Sequence, residues 1–143
     1  MNVGECLDHL EKSLSPIARH RRIALHWQMD ENVAACKLRD GPTWIAAVTN
    51  LIENAMQAGQ CVCVRGRRDV DDKLQIVVID DGPGIEFEMA NEVFEPFVTS
   101  KPEGMGLGLS VVKRAARHHD GNVRWFRETG QTHFELTVHT EPS

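Results

Sequence analysis

Apolar residues recur along the chain at two periods, and the switches between them predict its elements. Leu7, Leu10, Leu14, Ile17 and Ala18 stand at helical spacing within residues 4–20, with Pro16 as a local bend. Two strand-like runs follow, Arg22–Gln28, in which Ile23, Leu25 and Trp27 alternate with polar residues, and Val33–Leu38. Asp40-Gly41-Pro42 is turn and helix-start chemistry, with Asp40 or Thr43 as the cap of a helix from Thr43 to Ala58. Gly59 stops that helix, and a left-handed cap is expected there because glycine carries no Cβ.

Gln60–Arg67 and Leu74–Asp80 read as strands joined by the charged turn Arg68–Lys73. From Asp81 to Gly106 the chain is rich in glycine, proline and charge, with one short helical stretch predicted near Glu86–Val93. Leu107–His119 has the period of a third helix, which Asp120-Gly121 ends. Val123–Arg127 and Thr132–His139 are the last strands, flanking a turn at Gly130. This order predicts an α/β two-layer sandwich, a mixed sheet with three main helices on one face.

Composition narrows the function. At 143 residues, 41% hydrophobic and 26% charged, the chain reads as one domain, residues 1–143, able to bury its own core. A formal charge of −5 offers no basic field for nucleic acid or a lipid surface, so neither is expected as a partner. A polyphosphate ligand would need local neutralisation by a metal ion and a few placed donors. No run is apolar for ~18 residues and no signal-peptide pattern opens the chain, which predicts a cytoplasmic location whether or not a longer parent is membrane-anchored. Cys6, Cys36, Cys61 and Cys63 show neither zinc nor C-x-x-C spacing; buried free thiols are expected, with Cys61 and Cys63 on one strand face.

Three segments carry candidate chemistry. In the second helix Trp44, Ile45, Val48, Leu51, Ile52 and Ala55 form the apolar stripe, while Asn50, Asn54 and Gln57 share another face. Two carboxamides one turn apart can offer oxygen ligands to Mg²⁺ without setting a carboxylate beside phosphates. A solvated polar face explains the same pattern. Leu74–Ile79 then ends in Asp80-Asp81-Gly82-Pro83-Gly84. A carboxylate at a strand end can accept from the exocyclic amine of adenine, and guanine shows a carbonyl there. A plain β-turn fits these residues as well. Finally Gly104-Met105-Gly106-Leu107-Gly108-Leu109-Ser110 opens the third helix, where alternate glycines let backbone N–H groups approach phosphates. Between the two glycine segments stand Phe94-Glu95-Pro96-Phe97, suited to pin a lid, and Thr99, Ser100 and Lys101, suited to reach phosphates.

Taken in order, these pieces resemble the four boxes of the histidine-kinase ATP-binding domain, of the superfamily shared with gyrase, Hsp90 and MutL. Asn50-Leu-Ile-Glu-Asn54-Ala resembles the asparagine box and Asp80-Asp-Gly82-Pro-Gly84 the first glycine box. Phe94-Glu-Pro-Phe97 is similar to the phenylalanine box and Gly104-Met-Gly106-Leu-Gly108-Leu109 to the second glycine box. His119-Asp120-Gly121 and Thr132-His133-Phe134 resemble the flanking family patterns. The resemblance implies a Bergerat-type ATP-binding fold, with ATP and Mg²⁺ as ligands.

By that likeness Asn54 is the Mg²⁺ ligand and Asn50 its phosphate-side neighbour. Asp80 reads adenine with Thr132 in support, Gly82 and Gly84 let the turn pass beneath the base, and Ile85 walls the pocket. Gly104, Gly106 and Gly108 line the triphosphate, with Leu107 and Leu109 packing beneath and Thr99 and Lys101 on the lid. The short lid resembles the nitrogen-regulation and oxygen-sensing kinases. The likeness also implies transfer of the ATP γ-phosphate to a histidine on separate dimerisation helices, with a response regulator downstream.

Two departures stand out. Many relatives carry Lys or Arg where this chain has Gln57, a charge that Lys101 is expected to supply. None of His9, His20, His26, His118, His119, His133 and His139 has the family's H-[ED]-x-x-x-P acceptor context, so the acceptor is expected outside this chain. His118 and His119 are expected as cationic groups at the third helix's end. A gyrase- or Hsp90-like ATPase would need a glutamate to activate water where this chain has Asn50, and Glu53 fits poorly. An anti-sigma-factor serine kinase usually lacks the phenylalanine box. A degenerate domain that binds partners and not ATP would not be expected to keep Asn54, Asp80 and the glycines.

Overall fold

The first two helices begin where the sequence supplies a cap. In the computed structural model, which describes residues 1–85, 93–95 and 108–141, Asn2 opens α1 (Val3–His20) by accepting from the Glu5 N–H at 2.9 Å. Asp40 opens α2 (Gly41–Ala58) by accepting from the Thr43 N–H at 3.1 Å, with Pro42 in the first turn. The third helix, α3, spans Gly108–His118.

The strands are β1 (Ala24–Met29), β2 (Cys61–Asp69), β3 (Lys73–Asp80), β4 (Asn122–Glu128) and β5 (Gln131–His139). They form one mixed sheet in the order β1-β2-β3-β5-β4. β1 runs parallel to β2 and the other neighbours are antiparallel. The three helices pack against one face of this sheet. Val62, Val64, Leu74, Ile76, Val78, Phe134, Leu136 and Val138 alternate onto that face and meet the buried stripe of α2, from Trp44 to Met56. The two-layer α/β architecture expected from the pattern is the one observed. No helix among the described residues is long and apolar enough to cross a membrane.

Four local expectations are corrected. Val33–Leu38 is not a strand; it makes one isolated bridge, Asn2 to Lys37, and otherwise turns. Its carbonyls instead accept from the first turn of α1, Cys36 from Val3 N at 2.8 Å and Ala34 from Gly4 N at 3.0 Å, satisfying donors that a helix start leaves unpaired. Gly59 is extended (φ −136°, ψ 179°), not left-handed. A glycine is required there by proximity, since a Cβ would collide with the Asp81 carboxylate.

Cys61 is exposed and Cys63 half-buried, because both alternate onto the sheet face that carries no helices; Cys6 and Cys36 are buried as expected, and burial raises both thiol pKa values. His119 is fully buried beyond the end of α3, with Nδ1 3.0 Å from the Ala115 carbonyl, so it lies in the core and not on the surface. His118 is exposed and sits 3.2 Å from Asp40 Oδ2.

Candidate functional site

The register of the sheet assembles the site at one end of its helix-covered face. Leu25, Val62, Asp80, Thr132 and Arg127 are successive cross-strand partners over all five strands. The row is apolar on β1 and β2 and polar from β3 onward. Asp80 and Thr132 are both buried, at 1% and 2% exposure. A buried carboxylate needs hydrogen-bond donors to offset its lost hydration, and Gly82 N–H donates to Asp80 Oδ1 at 2.9 Å.

The turn after Asp80 is held from two sides. On one side Gly82 packs so tightly against the Ala58 carbonyl at the end of α2 that a Cβ would overlap it. On the same side Asp81 Oδ1 accepts from Gln60 N at 2.8 Å and Cys61 N at 3.1 Å. These bonds, that from Cys61 foremost and then that from Gln60, hold the Asp81 carboxyl below the usual range. On the other side lies Arg127. Its Nη1 donates to the Gly82 carbonyl at 2.9 Å and to Thr132 Oγ1 at 2.7 Å, and its Nη2 donates to the Gly130 carbonyl at 3.0 Å. The arginine lies over Gly84, whose φ of +91° suits glycine, and a Cβ there would come within 2.8 Å of Arg127 Cδ.

Helix α2 links this turn to α3. Asn50, Asn54 and Ala58 lie on one stripe at i, i+4 and i+8. Asn50 abuts α3, its Oδ1 3.3 Å from where a Cβ on Gly108 would stand, and its Nδ2 donates to the Ala46 carbonyl at 2.9 Å. Ala58 abuts Gly82. The half-buried Asn54 therefore sits between the Asp80 turn and the N-terminus of α3. Leu109 and Ile85 are half-buried and pack on the core, and Gln57 is exposed.

Among the residues singled out in the sequence, the structure gathers Asn50, Asn54, Asp80, Gly82, Gly84, Ile85, Gly108, Leu109 and Thr132 around this end of the sheet. Thr99, Lys101, Gly104, Gly106 and Leu107 lie outside the described residues, as does Phe97. Phe94 is described, and it anchors as expected, edge-on to Phe134 with ring centroids 6.1 Å apart. Glu95 reaches Lys113 of α3 at 3.9 Å. Sequence reasoning missed Arg127. The signal was present: the two-residue turn Thr129-Gly130 puts residue 127 directly opposite Thr132.

Residues 40–142 match the family model described as histidine kinase-, DNA gyrase B-, and HSP90-like ATPase. The chain belongs to that family. Individual relatives agree with this ATPase membership. The sensory histidine kinase/phosphatase NtrB of Rhodobacter capsulatus is 41% identical over 69 residues, 48% of this chain and 19% of that protein. The tetrathionate sensor histidine kinase TtrS of Salmonella typhimurium is 28% identical over 139 residues, 96% of this chain and 23% of that protein. The chain thus spans about a fifth of the length of these relatives. In fold it is similar to full-length ShkA, solved in complex with AMPPNP, with a TM-score of 0.86 at 23% identity over 100% of this chain and 31% of that one. The nucleotide-free catalytic domain of histidine kinase ThkA gives 0.84 at 22% identity over 97% of this chain and 93% of that one.

Proposed function

We propose that this chain is the ATP-binding catalytic domain of a sensor histidine kinase and passes the γ-phosphate of ATP to a histidine on separate dimerisation helices. The observation that carries the reading is Asp80, a buried carboxylate at a strand end, seated beside Thr132 in a member of an ATPase family. Its acceptor oxygens suit the exocyclic amine of adenine. Gly82 and Gly84 bring backbone close beneath the base and Ile85 walls it. The N-terminus of α3, with Gly108 and Leu109, turns backbone donors and the helix dipole toward the phosphates. Gly104, Gly106, Leu107, Thr99 and Lys101 complete that end in this reading, with Lys101 supplying the charge that Gln57 lacks.

Asn54 and Asn50 present amide oxygens between the base turn and α3, a donor type that fits a hard cation. Bound there, Mg²⁺ supplies charge neutralisation on the triphosphate. The protein's own contribution is positioning and electrostatics. An imidazole nitrogen forms the bond to the γ-phosphorus as the bond to the bridging oxygen breaks and ADP leaves. We assign the domain to the nitrogen-regulation type, supported by its likeness to NtrB, and infer a response regulator downstream.

Calorimetric titration with ATP, with and without Mg²⁺, tests the binding half of the reading. Saturable binding that tightens with Mg²⁺ is expected. No binding in either condition would leave a degenerate domain that engages partners only.

A further inference from the structure

Resting on the assignment of Asp80 and Thr132 to the base, we propose that Arg127 is a specificity-determining positioning residue, which fixes the direction in which the Thr132 hydroxyl donates. An arginine has only donors and never accepts a hydrogen bond. Thr132 Oγ1 accepts from Arg127 Nη1 at 2.7 Å, so the hydroxyl proton points away from β4. The guanidinium cannot turn aside easily, because the same Nη1 holds the Gly82 carbonyl and Nη2 holds the Gly130 carbonyl. At the sheet end a carboxylate that accepts therefore stands next to a hydroxyl with one lone pair taken by Arg127 and its proton directed away from β4.

That pair of functions matches one purine edge. Adenine shows an amine donor beside the N1 acceptor; guanine shows a carbonyl acceptor beside an N1–H donor. Asp80 takes the amine of adenine, and the Thr132 proton serves N1, directly or through one water. Without Arg127 the hydroxyl is free to rotate, its donation toward N1 is no longer held in place, and the discrimination at N1 weakens. Arg127 also lies across Gly84, so it keeps the base turn and the β4–β5 hairpin in one arrangement.

The test separates the two base contacts by analogue. ATP, 1-deaza-ATP (no N1 acceptor) and purine riboside triphosphate (no amine) are titrated into the wild-type chain, Arg127→Met, Arg127→Lys and Thr132→Val. Wild type is expected to prefer ATP over each analogue by about tenfold, the scale of one hydrogen bond. Arg127→Met is expected to lose part of the preference over 1-deaza-ATP and keep the preference over purine riboside triphosphate. Arg127→Lys, which keeps a donor, should recover some of the lost preference, and Thr132→Val, which removes the hydroxyl, should lose the N1 preference entirely. An Arg127→Met variant that keeps the wild-type preference at N1 overturns the inference alone, as does one that lowers melting temperature with both preferences intact. Tighter ATP binding by Arg127→Met would make the arginine an obstacle and overturn it too. A wild type indifferent to both analogues overturns the base-reading assignment and this inference with it.

Discussion

Asp80 and Asp81 are neighbours in one turn, yet their carboxylates face opposite tasks. Asp80 is buried on the helix-covered face and holds the Gly82 N–H. Asp81 is exposed and ties down the Gln60 and Cys61 N–H groups where α2 gives way to β2. Alternation along β3 decides which is which, because Val78 and Asp80 share the inner face. Asp80→Asn replaces one acceptor oxygen with a donor and should weaken ATP binding on the order of a hundredfold, as expected for a hydrogen bond to a charged group. Asp81→Asn keeps an acceptor and should bind ATP nearly as wild type. Titrations in which Asp81→Asn is the more damaging change would contradict the assignment.

Acid stability should follow Asp81. Its folded pKa lies below the unfolded one, so its contribution is fully present above the ordinary aspartate value of about 3.9. That contribution is lost as pH falls through the depressed folded value. Asp40 has the same sign, lowered first by the Thr43 hydroxyl and then by the Thr43 N–H. Urea unfolding from pH 5 to pH 2 should therefore show a shallower loss of stability in Asp81→Asn and in Asp40→Asn than in wild type. Equal slopes in all three proteins would count against these hydrogen bonds.

Much of this was readable before the structure. Caps, stripes and alternation carry local physics, so Asp40, the α2 stripe and the β3 strand ending at Asp80 were legible, and the candidate site followed from the resemblance of ordered motifs. What escaped depends on proximity between distant segments. Gly59 is dictated by Asp81, and Arg127 gains its role from Gly82, Thr132 and Gly130. Cys61 and Cys63 look apolar in sequence, yet they fall on the sheet face that no helix covers. Val33–Leu38 reads as a strand by composition, but its backbone is engaged by the first turn of α1.

Gly84 should tolerate no side chain. Its φ of +91° and the nearby Arg127 atoms both oppose a Cβ. Gly84→Ala should cost about 1–2 kcal/mol of stability and weaken ATP binding by displacing Arg127. Thermal unfolding and titration check both; a variant as stable as wild type would show that the turn can relax.

Asn54→Ala should leave the fold intact, since the side chain is only half-buried, while removing the Mg²⁺-dependent part of nucleotide binding and abolishing phosphoryl transfer. Calorimetry at matched Mg²⁺ concentrations, with circular dichroism as the control for folding, measures this. A folded variant that still transfers phosphate near the wild-type rate would remove Asn54 from the metal site.

The proposed function requires the acceptor histidine to lie on separate dimerisation helices. The most direct measurement is incubation with γ-labelled ATP, alone and with dimerisation helices that bear the acceptor histidine, followed by acid treatment of the labelled products. No label on this chain alone and acid-labile label on the added helices are expected. Acid-labile label on this chain alone, or acid-stable label on a serine of an added protein, would contradict the proposed function.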